Sequence, residues 1–153
     1  MPSTVAIQTG LTYDATDLQD FPRVFLQIVS GGPWDTPETR GEDSRTPYRD
    51  GQTYGPRRED RLPIMLDGWV AGEGADEAAQ RADTATARQE LRVLFDPTRG
   101  PAVLHLETED GTEWEIEAYP DVVVWQAAEQ GIPTHREVSV RLIAIDPPHW
   151  TAA

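Results

Sequence analysis

Between Ser30 and Arg61 the chain runs for thirty-two residues without one Ala, Val, Ile, Leu or Met. A segment of that composition has no aliphatic side chains to bury and cannot build a core of its own, so the fold must be made by the residues on either side of it. The segment holds six arginines against seven acids, whereas the rest of the chain holds seven arginines against twenty acids. Loops longer than about 12–15 residues inside compact domains are functional or disordered. Two readings stand: a solvated excursion, or an arm that becomes ordered on a neighbouring chain. On the second reading Trp34, Tyr48 and Tyr54 are aromatic anchors, and Arg40, Arg45, Arg49, Arg57 and Arg58 are the charged contacts that surround them.

At 153 residues there is room for one core, and we expect a single domain over 1–153 with residues 30–61 as its arm. The net charge of -14 disfavours nucleic-acid phosphates and anionic membranes as binding partners. No cysteine is present, which removes disulfides and thiolate metal sites. The first fourteen residues, MPSTVAIQTGLTYD, have neither a basic start nor a long apolar run, so no leader or membrane span is expected there.

Apolar alternation predicts strands within Thr4–Tyr13, over Arg23–Ser30 and over Arg61–Gly72. A helix follows from about Ala75 to Phe95. Its wheel puts Thr84, Ala87, Leu91 and Leu94 on one face and Arg81, Arg88 and Arg92 on the other. An arginine stripe of this kind is either a solvated face or a contact for an acidic surface on a neighbouring subunit. After DPTRGP stops the helix, Glu109-Asp110-Gly111 marks a hairpin. Leu104 and Leu106 fall on one side of its first strand, and Trp114, Ile116 and Ala118 face inward from the second. The stretches DVVVWQ and HREVSVRLIAID give two more strands around a turn at Gly131–Pro133. The order predicts an α+β domain: a mostly antiparallel β-sandwich or incomplete β-barrel, one covering helix and a long extended loop.

Sites of chemistry are sparse. His105, His135 and His149 are not spaced as ligands on one element, and without lysine there is no Walker A motif. Glu107, Glu113, Glu115 and Glu117 alternate with apolar residues as the wet face of the hairpin. Ser139, His135 and Asp146 can be grouped as a triad, but no local pattern fixes their geometry. The ending Asp146-Pro147-Pro148-His149-Trp150 reads either as a carboxylate–imidazole ligand site or as a strand stopped by two prolines with Trp150 packed back over it. No catalytic residue, cofactor or metal is assigned, and no enzymatic activity is expected.

The stretch from YRDGQTYGPRREDRLPIMLDGWVAGEG, through the helix DEAAQRADTATARQELRVLFDP and the hairpin AVLHLETEDGTEWEIEAYP, to REVSVRLIAIDPPHW resembles the N-terminal ring domain of siphophage distal tail proteins and related minor tail proteins. The resemblance runs from about Tyr48 to Trp150 and rests on Asp50-Gly51, Gly68, Leu91, Leu94, Gly111 and Asp146-Pro147. It implies a structural virion protein of a long non-contractile tail: a homo-hexameric ring joining the tail tube to the baseplate or tail-tip hub. DNA would pass through its lumen. The implied partners are the tail tube protein, the tape measure protein and the hub proteins, with assembly in the host cytoplasm and no membrane binding. A tail tube subunit stacked in many rings is the alternative, and a small-ligand-binding β-barrel using Asp146 and His149 is a further one. Larger members of the family continue after the corresponding strand into a galectin-like or carbohydrate-binding-like domain. Seven residues follow Asp146 in this sequence, so no receptor- or sugar-binding domain is expected from it.

Overall fold

A computed structural model describes residues 7–20, 23–41, 57–126, 134–145 and 147–153. Strand β1 is Gln8–Tyr13, β2 is Thr16–Asp17, β3 is Val24–Ser30, β4 is Glu38–Gly41 and β5 is Arg57–Ala71. Helix α1, Glu77–Leu94, is followed by a single 3-10 turn at Pro97–Arg99. The chain then continues through β6 at Ala102–Thr108, β7 at Glu113–Trp125, β8 at His135–Ala144 and β9 at Thr151–Ala152.

The strands pair antiparallel in the order β2-β1-β6-β7-β8-β5-β3, with β4 added to β5 and β9 to β7. This is the expected α+β architecture: a mostly antiparallel sheet with one helix, not closed into a barrel. The two ends of the ladder meet through a few bonds only. The Gln8 side chain acts as a substitute strand, donating to the Ile28 carbonyl and accepting from its N–H, both at 2.7 Å. The Leu26 N–H donates to the Leu18 carbonyl at 2.9 Å, and Gln19 Nε2 donates to the Leu26 carbonyl at 3.0 Å. A side-chain amide thus satisfies edge groups that a closed barrel would satisfy with a ladder.

Inside the curl lie Leu11, Leu26, Ile64, Leu66, Leu104 and Leu142, all fully buried. Each such side chain contributes about 1.5–3 kcal/mol relative to an exposed one. The helix closes one side with the face read from its periodicity: Thr84, Ala87, Leu91 and Leu94 are its buried residues. Asp76 caps it by accepting from the Ala79 N–H at 2.8 Å, and Glu77 in the first turn and Arg92 in the last suit the helix dipole. The Thr84 hydroxyl accepts from the Gly72 N–H at 2.9 Å. A side chain at Gly72 would run into the Gln80 carbonyl, 1.9 Å from its Cβ, so the strand-to-helix turn needs a glycine for close approach rather than for an unusual φ.

Two expected boundaries move. The stretches TEWEIEAYP and DVVVWQ are one strand, β7, because a bulge between Pro120 and Val122 takes up the proline. Just before that bulge the strand changes partners, leaving β6 after Ala118 and joining β8 from Tyr119. The segment 30–61 is also not loop throughout. Glu38↔Arg61 and Gly41↔Arg57 bound a β4–β5 ladder. The last β5–β8 rung is Leu62↔Ala144, so beyond it β4 and β5 leave the sheet as a two-stranded ribbon. Backbone ladders need no apolar side chain, which is why periodicity could not find this one. The turn expected at Gly131–Pro133 lies outside the described residues.

Tyr13 ties the core to β7. Its ring stacks on Phe95 with centroids 5.2 Å apart, and its hydroxyl donates to the Ala118 carbonyl at 3.1 Å. Burial, aided by the Asp14 carboxylate, pushes the phenol up to about 12 from the usual 10. A raised folded-state pKa contributes stability that is complete below pH 10 and is lost as pH climbs toward 12. Tyr13→Phe should lower stability by about 1 kcal/mol at pH 7 and flatten the alkaline loss between pH 10 and 12. Urea midpoints across that range test both effects, and parallel alkaline curves for the two proteins would contradict the assignment.

Candidate functional site

The sequence pointed to two places, the arm and the arginine face of α1, and the structure separates them. The helix is tied to the Gly72 end of β5 through Thr84, whereas the ribbon leaves from the Arg57 end.

The base of the ribbon is a built junction. Gly31 follows β3 with φ +79°, and a Cβ there would lie 2.1 Å from the Pro63 carbonyl. Its N–H donates to Asp35 Oδ2 at 2.7 Å, and its carbonyl accepts from Trp150 Nε1 at 2.8 Å. Trp34 and Trp150 are partly buried against the core, and Trp34 lies over Gly32, where a Cβ would meet its ring at 2.4 Å. Arg61 Nε donates to Glu38 Oε2 at 2.8 Å across the ribbon, and the His149 imidazole contacts the Glu59 carboxylate. The C-terminal segment therefore clamps the ribbon from one side. Trp150 does pack back, as one reading of the ending anticipated, and His149 faces the arm's own strand.

Of the interface residues expected in the arm, Trp34 sits at this junction. Arg40, Arg57 and Arg58 lie on the paired strands, Arg40 opposite Arg58 and Arg57 opposite Gly41. Arg45, Tyr48, Arg49 and Tyr54 lie outside the described residues, as does Asp146. On the helix, Arg81 pairs with Glu77 at 2.7 Å, one turn away, and Arg92 is exposed. Arg88 lies over the Trp125 ring at 5.0 Å. The three arginines therefore do not form one uncommitted stripe. The Arg88–Trp125 contact was invisible in the sequence because it joins a helix to a strand end more than thirty residues away.

Among the described residues the histidines join no metal-binding group. His135 stacks on Trp69, with centroids 6.3 Å apart, and His105 lies 3.7 Å from Glu113. Among the described residues no three His, Cys, Asp or Glu side chains form a metal-binding group, and no helix is long and apolar enough to cross a membrane.

One concavity stands out. A groove of about 590 Å³ lies between the C-terminal half of α1 and the residues around β2 and the start of β3, lined among others by Asp17, Asp20, Val24, Leu91 and Leu94. Arg23 spans its edge, with Nε 3.1 Å from Asp83 Oδ2 and Nη1 3.0 Å from Glu90 Oε2. This pairing and the Glu73 N–H hold the Asp83 carboxyl below the usual carboxylate range.

A solved structure with a similar fold is the Dit protein (gp 19.1) of SPP1, described as a paradigm of the hub adsorption apparatus in phages that infect Gram-positive bacteria. The TM-score is 0.64 at 14% sequence identity, over 90% of this chain and 50% of that one, so the chain spans about half the length of the protein it matches. No family model matches the sequence, and no curated protein does.

Two variants test the geometry. Gly31→Ala forces a side chain into the Pro63 backbone and into a left-handed conformation. It should cost about 1–3 kcal/mol, read as a lowered urea midpoint, and an unchanged midpoint would show that the junction yields freely. Asp83→Asn should lower stability by about 1 kcal/mol at pH 7. A depressed folded-state pKa contributes above the ordinary carboxylate pKa and is lost as pH falls through the folded value. The gap between variant and parent should therefore close as pH falls below the ordinary carboxylate range; a gap that stays constant down that acid limb counts against the ion pair.

Proposed function

We propose that the chain is a structural subunit of a phage tail, one tail-ring domain over residues 1–153 that assembles into a closed ring. In this reading the ring, a homo-hexamer, joins the end of a long non-contractile tail tube to the tip or baseplate hub and surrounds the DNA channel. The observation behind it is the fold shared with the SPP1 hub protein over 90% of the chain.

Two physical features support the reading. A two-stranded ribbon is marginal in water by itself, and the segment from Ser30 to Arg61 that contains this one has no aliphatic residue with which to stabilise it. A neighbouring subunit supplies the missing surface. The net charge of -14 also suits a wall along which DNA slides without adhering, because like charges suppress contact with phosphates. The role needs no catalytic group, cofactor or metal. The partners are further copies of the chain, the tail tube protein, the tape measure protein and the hub proteins, with assembly in the host cytoplasm.

The test is native mass spectrometry of the purified chain together with electron microscopy of the particles that contain it. The expected result is a closed ring of six copies, present once per tail at its tip. Many stacked copies along the tail would make the chain a tube subunit instead. A chain that stays monomeric and joins no tail would end the proposal.

A further inference from the structure

The groove beside α1 combines an apolar floor with an acidic mouth. Val24, Ala87, Leu91 and Leu94 line the floor, and Val93 stands on the rim, 53% exposed. At the mouth are the carboxylates of Asp17 and Asp20. The two arginines that also line the groove are already matched: Arg23 with Asp83 and Glu90, and Arg99 with Asp14 at 3.0 Å. The opening therefore favours an aromatic side chain flanked by guanidinium groups, the apolar ring on the floor and the cations at the mouth.

In this chain that chemistry is concentrated in residues 45–58, RTPYRDGQTYGPRR. Four arginines and two tyrosines stand there beside a single acid, a local charge of +3 in a chain of -14. The segment is held at its base by the Gly41↔Arg57 rung. The groove lies at the other end of β5, where Val24 pairs with Val70. Thirteen residues of strand separate Arg57 from Val70, about 43 Å at ~3.3 Å per residue. Residues 42–56 must leave the rung and return to it, so their tip reaches at most about 25 Å from it. An arm that leaves from the far end of β5 falls well short of its own groove.

We propose that the groove between α1 and β3 is the receptor for residues 45–58 of a second copy of this chain, with Tyr48 as the apolar anchor and Arg45 and Arg49 facing Asp17 and Asp20. The contact is head to tail: each copy offers an arm at one end and a groove at the other. A heterologous contact of this kind closes into a ring when the rotation between copies permits. The inference rests on the tail-ring reading and names the surfaces through which the ring closes.

The absence of cysteine from the sequence makes the test clean. Tyr48→Cys and Val93→Cys are prepared as separate single variants, mixed, and treated with a short bismaleimide, which does not demand disulfide geometry. Val93 is exposed, so its replacement leaves the core intact. The expected product is the mixed dimer in excess over both homodimers, and Asp17→Arg together with Asp20→Arg should weaken assembly by tenfold or more. If the unsubstituted chain forms rings but the mixture gives no mixed dimer, the groove is not the receptor and the tail-ring reading stands. A cross-link within one chain of the double Cys variant, with none between the single variants, likewise overturns the proposal. If the chain neither assembles nor cross-links, both readings fall.

Discussion

Strand β5 is hydrogen-bonded along both edges, and the rest of the molecule is arranged around that fact. From Leu62 to Ala71 it pairs with all of β8, while β3 and then β4 occupy its other edge. Ten continuous rungs with β8 fix register strongly, because a slip by one residue would turn Ile64, Leu66 and Val70 out of the core. With β5 fixed, β8 sets the second half of β7 and thereby the hairpin to β6. At one end of β5 the turn at Gly72 delivers α1, and at the other the strand outruns its sheet and becomes the ribbon. Core and arm are thus parts of one strand, so a load on the arm is transmitted directly into the ladder.

Charge works against this compact chain, and the arginines of the domain are spent locally to offset it. Arg23, Arg61, Arg81 and Arg99 each meet a carboxylate of the same chain at 3.1 Å or less. The Arg141–Asp121 approach, at 3.5 Å with Arg141 Nε lacking a hydrogen-bond partner, is an electrostatic contact rather than a hydrogen bond. Exposed pairs such as Arg81–Glu77 contribute little individually. Arg23, which reaches two carboxylates from a partly shielded position, contributes more, and it fastens β3 to the helix. Along the sequence the one strongly basic stretch is residues 45–58, four arginines beside a single acid.

Local pattern in the sequence was sufficient for the parts whose stabilisation is local. The α1 face of Thr84, Ala87, Leu91 and Leu94 followed from a 3.6-residue period, and the Asp110-Gly111 turn followed from the backbone it requires, with Gly111 at φ +82°. Pattern failed where the stabilising partner is remote. Pro120 looked like the end of a strand, yet β7 passes it on a bulge because β8 is there to continue the ladder. Glu38–Gly41 and the first residues of β5 have no alternation to detect, since each strand is held by the backbone of the other. The fate of Trp150 was half legible: two prolines announced a stop, but only the folded chain brings the indole N–H to the Gly31 carbonyl, 119 residues away. At the helix, the wheel suggested a stripe of three arginines, and it could not show that one of them, Arg88, lies over the Trp125 ring.

On the proposed ring reading, the makeup of the arm follows from what an assembly surface must do before it meets its partner. A projecting ribbon rich in Val, Ile or Leu would present unpaired edges and apolar area together, the combination that drives aggregation. Arginine and tyrosine avoid this, because both remain well hydrated when free and both are favoured at the centres of interfaces once water is excluded. Their charge has a second effect. With a Debye length near 8 Å at physiological ionic strength, attraction between a basic arm and an acidic copy acts only over short distances. It therefore orients copies that have already met and adds little to long-range encounter. In the proposed ring, like charge over most of the surface and opposite charge along one arm would favour a defined head-to-tail order over indiscriminate association.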